Sequence, residues 1–247
     1  MIKKIIILLI IFLNIQIVFV SAKELDSDRD GVPDKDEIEV YYTDPYDRDT
    51  DGDGYSDWVE LNHGYSPHNI QKLKLEESDT DGDGLSDRME LRFHTNLMKA
   101  DTDGDGYSDY KEINNGFNPR STSTEKLDRR IEINLEKQEL NYFIDNVHFY
   151  STQVSTGRPD MPTPIGEYKI RYKHPKAWSR SYGLWMPYWM EFEPKYGIHE
   201  LPVWPSGYRE GEEHLGQKVS HGCVRLGIGA AKKIYDWVDI GTRVKIH

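Results

Sequence analysis

The sequence predicts two unlike parts, an acidic array of loop-and-helix repeats followed by a mainly β domain. Residues 23–125 hold 28 Asp and Glu against 11 Lys and Arg, whereas residues 126–247 hold 15 against 18. The acidic part repeats one twelve-residue pattern four times, and the second part alternates apolar and polar residues with period two. These differences predict two domains with separate hydrophobic cores. The acidic balance also excludes a nucleic-acid interface, which needs a basic surface.

The first residues have the composition of a secretory signal. Lys3 and Lys4 precede an apolar run, residues 5–20, and the small residues Ser21 and Ala22 follow it, as at a cleavage site. We therefore expect residues 1–22 to be a signal peptide and the protein to be exported to the cell wall, the periplasm or the extracellular space. An uncleaved anchor is the alternative, although the run is shorter than the ~20 residues that span a bilayer. The chain has one cysteine, which excludes an intramolecular disulfide.

The acidic repeats carry the ligand pattern of a calcium-binding loop. The pattern Asp-x-Asp-x-Asp-Gly-x-x-Asp-x-x-Glu starts at Asp26, Asp49, Asp79 and Asp101. In an EF-hand-type loop, positions 1, 3, 5, 9 and 12 supply carboxylates, position 7 supplies a carbonyl and position 6 is a glycine. A disordered acidic linker would not place glycine and glutamate at the same offsets four times. The predicted ligands are Asp26, Asp28, Asp30, Val32, Asp34, Glu37, Asp49, Asp51, Asp53, Tyr55, Asp57, Glu60, Asp79, Asp81, Asp83, Leu85, Asp87, Glu90, Asp101, Asp103, Asp105, Tyr107, Asp109 and Glu112.

The spaces between the loops are too short for EF-hands. Only 10 to 18 residues separate one loop's glutamate from the next loop's first aspartate, so each loop is followed by one helix of about two turns. Over residues 23–120 the array resembles bacterial thrombospondin type 3 repeats, and dockerins are a weaker resemblance. Five carboxylates in each loop repel one another without metal, so we expect Ca²⁺ to be a structural cofactor that stiffens the array into a stalk.

The second part, residues 127–247, has the pattern of antiparallel strands joined by polar turns, after a polar linker at residues 121–126. The predicted strands contain Ile131, Ile133 and Leu135, then Leu140, Tyr142 and Ile144, then Val147 and Phe149, followed by residues 168–172 and 243–246. One helix is predicted over residues 230–238, with Ile234 and Trp237 on one face. Residues 178–192 are dense in aromatics, which either fill the core or form the wall of a substrate groove.

The one cysteine lies in a chemically distinctive hexapeptide, residues 220–225. Cys223 has His221 and Arg225 close by in sequence, and imidazole and positive charge both favour the thiolate that attacks as a nucleophile. Gly222 allows the backbone to approach a substrate carbonyl, so that consecutive N–H groups around the cysteine form an oxyanion hole. The alternative is a lone buried cysteine that acts as a small apolar residue.

The hexapeptide Ser-His-Gly-Cys-Val-Arg resembles the signature of the L,D-transpeptidase (YkuD-like) family, in which an upstream histidine precedes it. Further family-like pieces occur in order at residues 155–157, 162–168, 196–199, 215–216 and 241–246. The resemblance therefore covers the chain from about residue 126 to the end. One departure is the long interval between His199 and Ser220, in which residues 204–213 look like an insertion.

The resemblance implies a mixed-sheet β-sandwich with one or two helices and a cysteine acyltransferase that needs no cofactor for catalysis. The implied substrate is a peptidoglycan stem tetrapeptide, which loses its terminal D-alanine and is transferred as a thioester to an amine on a neighbouring stem or a wall-attached protein. The residues implied to act are Cys223 as nucleophile, His199 as base, and Ser220, His221, Gly222 and Arg225 around them.

Several roles stay open at this point. His214 is a rival for the base because it is closer in sequence to Cys223, and Arg225 either binds a substrate carboxylate, lowers the thiol pKa or forms a structural ion pair. Residues 178–192 and 204–213 are the candidate lid segments. The competing functions are a carboxypeptidase or endopeptidase that trims wall peptides, and a non-catalytic calcium-dependent wall-binding module. We expect a monomer.

Overall fold

The computed structural model describes residues 24–247. The predicted signal peptide, residues 1–22, lies outside the described residues. Within residues 24–247 no helix combines the length and the apolar character needed to cross a membrane.

Short helices follow the acidic loops, as predicted. They are α1 Asp34–Asp36, which continues into a π-helical segment Glu37–Tyr41, α2 Asp57–His63, α3 Asp87–Phe93 and α4 Asp109–Asn115. Ser56 and Ser108 cap the starts of α2 and α4 by accepting backbone N–H groups of the first turn. Each of these helical segments ends at a left-handed residue, which is Gly64 after α2 and Gly116 after α4. Each helical segment is therefore stopped by a left-handed residue, which keeps it short.

The acidic loops are closed by hydrogen bonds from their own backbone. In the second loop, Asp49 accepts the N–H groups of Gly52, Asp53 and Gly54 at 2.8–3.1 Å. Gly54, at position 6, has a φ of +95°, which glycine adopts without strain. Each loop is therefore preshaped by its aspartates and its glycine.

The four loops are joined in pairs, and we call each pair a cassette. In the first cassette, Asp30 of the first loop accepts the N–H of Trp58 at 2.8 Å, and the Trp58 ring covers Gly31. In the second cassette, Asp83 of the third loop accepts the N–H of Tyr110 at 2.7 Å in the same way. The unequal loop spacings of 23, 30 and 22 residues reflect this pairing.

The segment expected to be a linker, residues 121–126, is instead tied to the fourth repeat. Lys126 pairs with Phe117 in an isolated β-bridge, and the N–H of Leu127 donates to Gly116 O at 2.9 Å. The second repeat has the same arrangement, in which Tyr65 pairs with Lys74. Because the polar residues lie in a returning turn, their composition does not mark a free connection between domains.

The predicted antiparallel meander is confirmed and belongs to a mixed sheet of ten strands. The strands are β1 Arg129–Asn134, β2 Glu139–Ile144, β3 Val147–Gly157, β4 Gly166–Lys169, β5 Tyr172–Ser179, β6 Leu184–Glu193, β7 Tyr196–Glu200, β8 Lys218–Ser220, β9 Val224–Leu226 and β10 Arg243–Ile246. Their order is β4-β10-β1-β2-β3-β9-β7-β6-β5, with β8 paired to β3. The pairs β1/β10, β7/β9 and β3/β8 are parallel and the other pairs are antiparallel.

The sheet curves so that β4, at one end of the strand order, packs against β6, near the other end. Tyr168 and Phe192 make this contact, with ring centroids 5.2 Å apart. The predicted helix is α5 Ala230–Trp237, whose Ile234 and Trp237 are buried against the sheet. The domain is therefore mainly β with one α-helix, as predicted.

The second cassette docks on the β domain, so the expectation of separate cores is wrong. Phe93 of α3 packs edge-on against Phe149 of β3, with ring centroids 6.2 Å apart. The Trp237 indole N–H donates to Asn114 Oδ1 at 2.6 Å, and Ile113 belongs to the same buried cluster as the sheet residues. Apolar residues in two-turn helices have too little partner surface within the array, and the β domain supplies it.

Candidate active site and metal loops

The turn that carries the cysteine is fixed by hydroxyl groups. Ser220 Oγ accepts the N–H of Gly222 at 3.1 Å and donates to the carbonyl of Cys223 at 2.5 Å. Thr163 Oγ1 donates to Gly222 O at 2.9 Å. Gly222 has a φ of +104°, and a Cβ there would lie 2.6 Å from a ring carbon of Tyr196. The motif's serine and glycine therefore shape the turn, and the Gly222 N–H is already engaged.

Two adjacent parallel strands bring the cysteine and the upstream histidine together. In the β7/β9 register, Ile198 pairs with Val224 and His199 pairs with Arg225. Gly197 therefore lies beside Cys223, whose thiol donates to Lys195 O at 3.9 Å. This strand pairing brings the two motif pieces together in space despite the long interval between them in sequence.

His199 is oriented to accept a proton. It is 3% exposed, and its Nδ1 lies 2.6 Å from Glu200 O. A carbonyl oxygen only accepts hydrogen bonds, so Nδ1 carries the hydrogen and Nε2 keeps a free lone pair. Burial, the largest cause, lowers the pKa of His199 to about 3. The imidazole is therefore neutral at pH 7.

The thiol is also uncharged in the resting protein. Burial raises the pKa of Cys223 above its ordinary value, while the Gly197 hydrogen bond and the Arg225 charge act in the opposite direction. A neutral thiol beside a neutral imidazole lets proton transfer accompany nucleophilic attack, because the resting pair need not be an ion pair.

Cys223 and His199 open into one cavity of about 600 Å³. Its other walls include His221, Arg225, Lys195 and Asp160, together with residues of the β5–β6 hairpin. Within residues 178–192, Phe192 is buried in the core, Trp189 is buried and also lines the cavity, and Tyr182 and Met186 line the cavity as well. The segment therefore fills the core and forms the groove wall at the same time.

The candidate insertion does not line this cavity, which corrects its expected place in a lid. Residues 204–213 form a turn in which the N–H of Trp204 donates to Tyr208 O at 2.8 Å, followed by Glu210, whose carboxylate is buried. Glu210 Oε1 accepts Nη1 of Arg225 at 2.6 Å and contacts Nδ1 of His214 at 2.7 Å. Arg225 thus forms an ion pair and also faces the cavity.

The other histidines lie differently. His214 binds Glu210 and is not among the cavity-lining residues, so the geometry favours His199 as the base. His221 stacks on Tyr182 with ring centroids 4.4 Å apart, and burial followed by the charges of two arginines lowers its pKa. No role could be assigned from the sequence to Glu210, which belongs to no motif, or to Thr163, which lies in the family-like piece 162–168 but has no chemistry of its own to indicate a contact with Gly222.

The acidic loops hold groups of oxygens that fit a hard cation. In each loop, carboxylate oxygens from positions 1, 3 and 5 lie within 4.8 Å of one another. The position-12 glutamates are at most 5% exposed, and Glu60 and Glu90 have both oxygens buried with no hydrogen-bond partner. Buried unpartnered carboxylate oxygens are costly unless a cation satisfies them, so the donor set fits calcium.

The position-9 aspartates also hold the loop in shape. Both oxygens of Asp57 accept hydrogen bonds from position 2, at 2.9 Å from Thr50 N and 2.7 Å from Thr50 Oγ1. The same pattern holds for Asp34, Asp87 and Asp109. Each oxygen keeps a further lone pair, so calcium ligation by position 9 stays a prediction.

Comparisons with known proteins agree with the predicted nature of both the acidic repeats and the β domain. The family described as YkuD, L,D-transpeptidase catalytic domain, matches residues 128–246, and the bacterial TSP3 repeat matches residues 49–64, 79–96 and 101–119. Residues 128–246 therefore match an L,D-transpeptidase catalytic domain of the YkuD type, and three segments before them match the bacterial TSP3 repeat. The first loop lies outside the matched repeats, although its three aspartates cluster like the others.

Two curated relatives from Bacillus subtilis (strain 168), "Putative L,D-transpeptidase YqjB" and "Putative L,D-transpeptidase YciB", are each 27% identical to the chain. They align over 133 and 124 residues, which are 48% and 47% of this chain and 71% and 64% of the relatives. A solved L,D-transpeptidase (Yku) from Stackebrandtia nassauensis is 30% identical and covers 49% of this chain and 55% of its own, with a TM-score of 0.41. The similarity thus spans about half of this chain.

Proposed function

We propose that the protein is an exported cysteine L,D-transpeptidase that forms a thioester with a peptidoglycan stem tetrapeptide and transfers it to an amine. The observation that carries this proposal is the β7/β9 pairing, which sets the free Nε2 of His199 and the Cys223 thiol at one cavity. The family match supports the substrate class, because that domain family acts on wall peptides. Export rests on the composition of residues 1–22 alone.

The first half-reaction acylates the enzyme. Cys223 Sγ attacks the amide carbonyl before the terminal D-alanine, while its proton passes to Nε2 of His199. We assign the Cys223 N–H as the oxyanion donor, because the Gly222 N–H is engaged by Ser220. His199 then returns the proton to the leaving nitrogen, the C–N bond breaks, D-alanine departs and a thioester remains.

The second half-reaction reverses these roles with a new nucleophile. An acceptor amine attacks the thioester, loses its proton to His199, and the thiolate leaves and is reprotonated. Water in place of the amine would give the trimmed tripeptide, so the outcome depends on how well the cavity excludes water. We expect Tyr182 and Met186, which line the hairpin side of the cavity, to limit the entry of water.

Calcium belongs to the repeats and takes no part in these steps. We propose that positions 1, 3, 5 and 12 of each loop hold Ca²⁺ as oxygen ligands, and that the bound ion neutralises the carboxylates that oppose folding. Since the second cassette packs on the β domain, calcium would stabilise the catalytic half as well.

A direct test is mass spectrometry of the calcium-loaded protein after mixing with a stem tetrapeptide. The proposal predicts an adduct on Cys223 equal to the peptide mass less one alanine, and its absence in Cys223→Ala. An intact protein that turns the peptide over without any adduct, or a Cys223→Ala variant that keeps turnover, would remove the thioester mechanism.

A further inference from the structure

The β7–β8 loop, residues 201–217, is fastened to both strands of the active site by ion pairs. Arg209 Nη1 donates to Glu200 Oε1 of β7 at 2.6 Å. Next along the loop, Glu210 Oε1 accepts Nη1 of Arg225 in β9, also at 2.6 Å. One short stretch of loop therefore contacts the strand of the base and the strand that directly follows the nucleophile.

The two ion pairs differ in burial and in what they face. Glu210 and Arg225 are 6% and 8% exposed, and Arg225 lines the cavity. In the other pair Glu200 is buried, but the Arg209 side chain is 38% exposed, and Arg209 is not a cavity-lining residue. A guanidinium that is itself buried and hydrogen-bonded is restrained far more than an exposed one. Glu210 therefore fixes the orientation of the arginine at the cavity.

Arg225 is well placed to meet a carboxylate of the acyl donor. It follows Cys223 by two residues, and at strand spacing such side chains share a face about 6.6 Å apart. The carboxylate of a leaving D-alanine is three bonds from the carbonyl carbon that Cys223 attacks. Arginine carries five N–H donors in a planar fork, and the bond to Glu210 leaves the others for this carboxylate.

We propose that Glu210 is a positioning residue for the acyl donor, which holds Arg225 so that its guanidinium binds the terminal carboxylate of the leaving residue. This inference rests on the proposed function. It predicts the direction in which the affinity for the carboxylate changes when Glu210 is replaced, because the Glu210 carboxylate is itself negatively charged. If Glu210 acted through charge alone, its removal would strengthen carboxylate binding; if it acts by positioning, its removal weakens carboxylate binding.

The experiment compares two donors on the full-length, calcium-loaded protein: a stem tetrapeptide with a free terminal carboxylate and the same peptide with a terminal carboxamide. We expect the wild type to prefer the carboxylate by about tenfold or more in kcat/KM, as for a hydrogen bond to a charged group. Glu210→Gln should bring this preference close to one, mainly through KM for the carboxylate donor. Arg209→Gln is the matched control from the same loop and should keep the wild-type preference.

Glu210→Asp covers the case in which Glu210→Gln fails to fold, since it retains the buried charge but draws the carboxylate back by one methylene. Its preference should be intermediate. The inference is overturned if a folded Glu210 variant keeps or strengthens the preference, if Arg209→Gln loses it equally, or if the wild type acylates both donors equally. A wild type that forms no acyl-enzyme with either donor refutes the proposed function itself, and the inference with it.

Discussion

Removing calcium should unfold the repeats at neutral pH and weaken the β domain with them. The reason lies in the position-12 glutamates, which are buried among other carboxylates. Burial, followed by the neighbouring carboxylates, raises the pKa of Glu90 to about 9 and that of Glu60 to about 8. For Glu37 and Glu112 burial is again the main cause, and the pKa rises to about 7.

These pKa values set the size of the effect. The ordinary pKa of 4.5 lies 2.5 pH units below pH 7. At about 1.36 kcal/mol per unit, each glutamate costs the metal-free folded state about 3 kcal/mol at pH 7. Four such groups cost on the order of 10 kcal/mol, which is comparable to the whole stability of a domain.

The sign of the pH dependence follows from the raised folded-state pKa values. Protonated glutamates stabilise the metal-free fold fully below about pH 4.5, and this stability is lost as the pH rises through about 7 to 9. Chelated protein should therefore be more stable at pH 5 than at pH 7. The β domain should respond as well, because unfolding the second cassette exposes the contacts of Phe93 and Ile113.

Circular dichroism melts and limited proteolysis, with calcium or with chelator at pH 7 and pH 5, measure these effects. Glu90→Gln should stabilise the chelated protein and weaken the calcium-loaded one, whereas Glu77→Gln, at an exposed position just before the same cassette, should change neither. Equal protease resistance of the repeats with and without chelator at pH 7 would refute the reasoning, as would a chelated protein that loses stability on acidification.

Three further predictions concern the active site. Cys223→Ala and His199→Ala should each abolish turnover of a stem tetrapeptide, whereas His214→Ala only weakens it; a dead His214→Ala beside an active His199→Ala would assign the base to the loop. The pKa of His199 is lowered to about 3, so protonation of the base should not reduce turnover between pH 7 and pH 5. A rate profile with a midpoint near the ordinary imidazole pKa of 6.5 would contradict the assignment of His199 as the base. Gly222→Ala should reduce the rate of acylation about 100-fold or more, because a Cβ there would lie 2.6 Å from the ring of Tyr196 and the φ of Gly222 is positive. The melting temperature should show that the variant is folded. A near-normal rate of acylation would show that the turn tolerates a side chain.

The spacing of residues in the sequence predicted those features that depend on interactions between neighbours in the chain. The four loops, their two-turn helices and their stops follow from residues within each repeat, as Gly54 and Gly64 illustrate. The meander of β1, β2 and β3 follows from period-two alternation, and α5 from its apolar face. The sequence also marked the cysteine hexapeptide as one motif, and its residues Ser220, Gly222 and Cys223 hydrogen-bond within four residues of chain.

The remaining features depend on partners that are distant in sequence. Glu210 has no local signal, since an exposed loop glutamate and a buried ion-pair glutamate look alike until Arg225 is placed beside it. The polar composition of residues 121–126 indicated a linker. The backbone hydrogen bond from Leu127 to Gly116 that ties this segment to the repeat does not depend on side chains, so composition cannot indicate it. The hydrogen bonds that position 9 receives from position 2 were not predicted, because the EF-hand analogy treats position 9 only as a ligand. The docking of Phe93 required knowledge of which surface the β domain leaves open.

The central claim, acyl transfer through Cys223, is tested most directly by following the fate of the thioester. Calcium-loaded protein is mixed with a stem tetrapeptide, and a second stem bearing a free amine is added at saturating concentration while mass spectrometry follows the adduct and the products. The account predicts that the Cys223 adduct decays faster as the acceptor concentration rises and that cross-linked dimer is the main product. An adduct that decays at the same rate with and without acceptor, and yields only tripeptide, would contradict transpeptidation and identify a hydrolase.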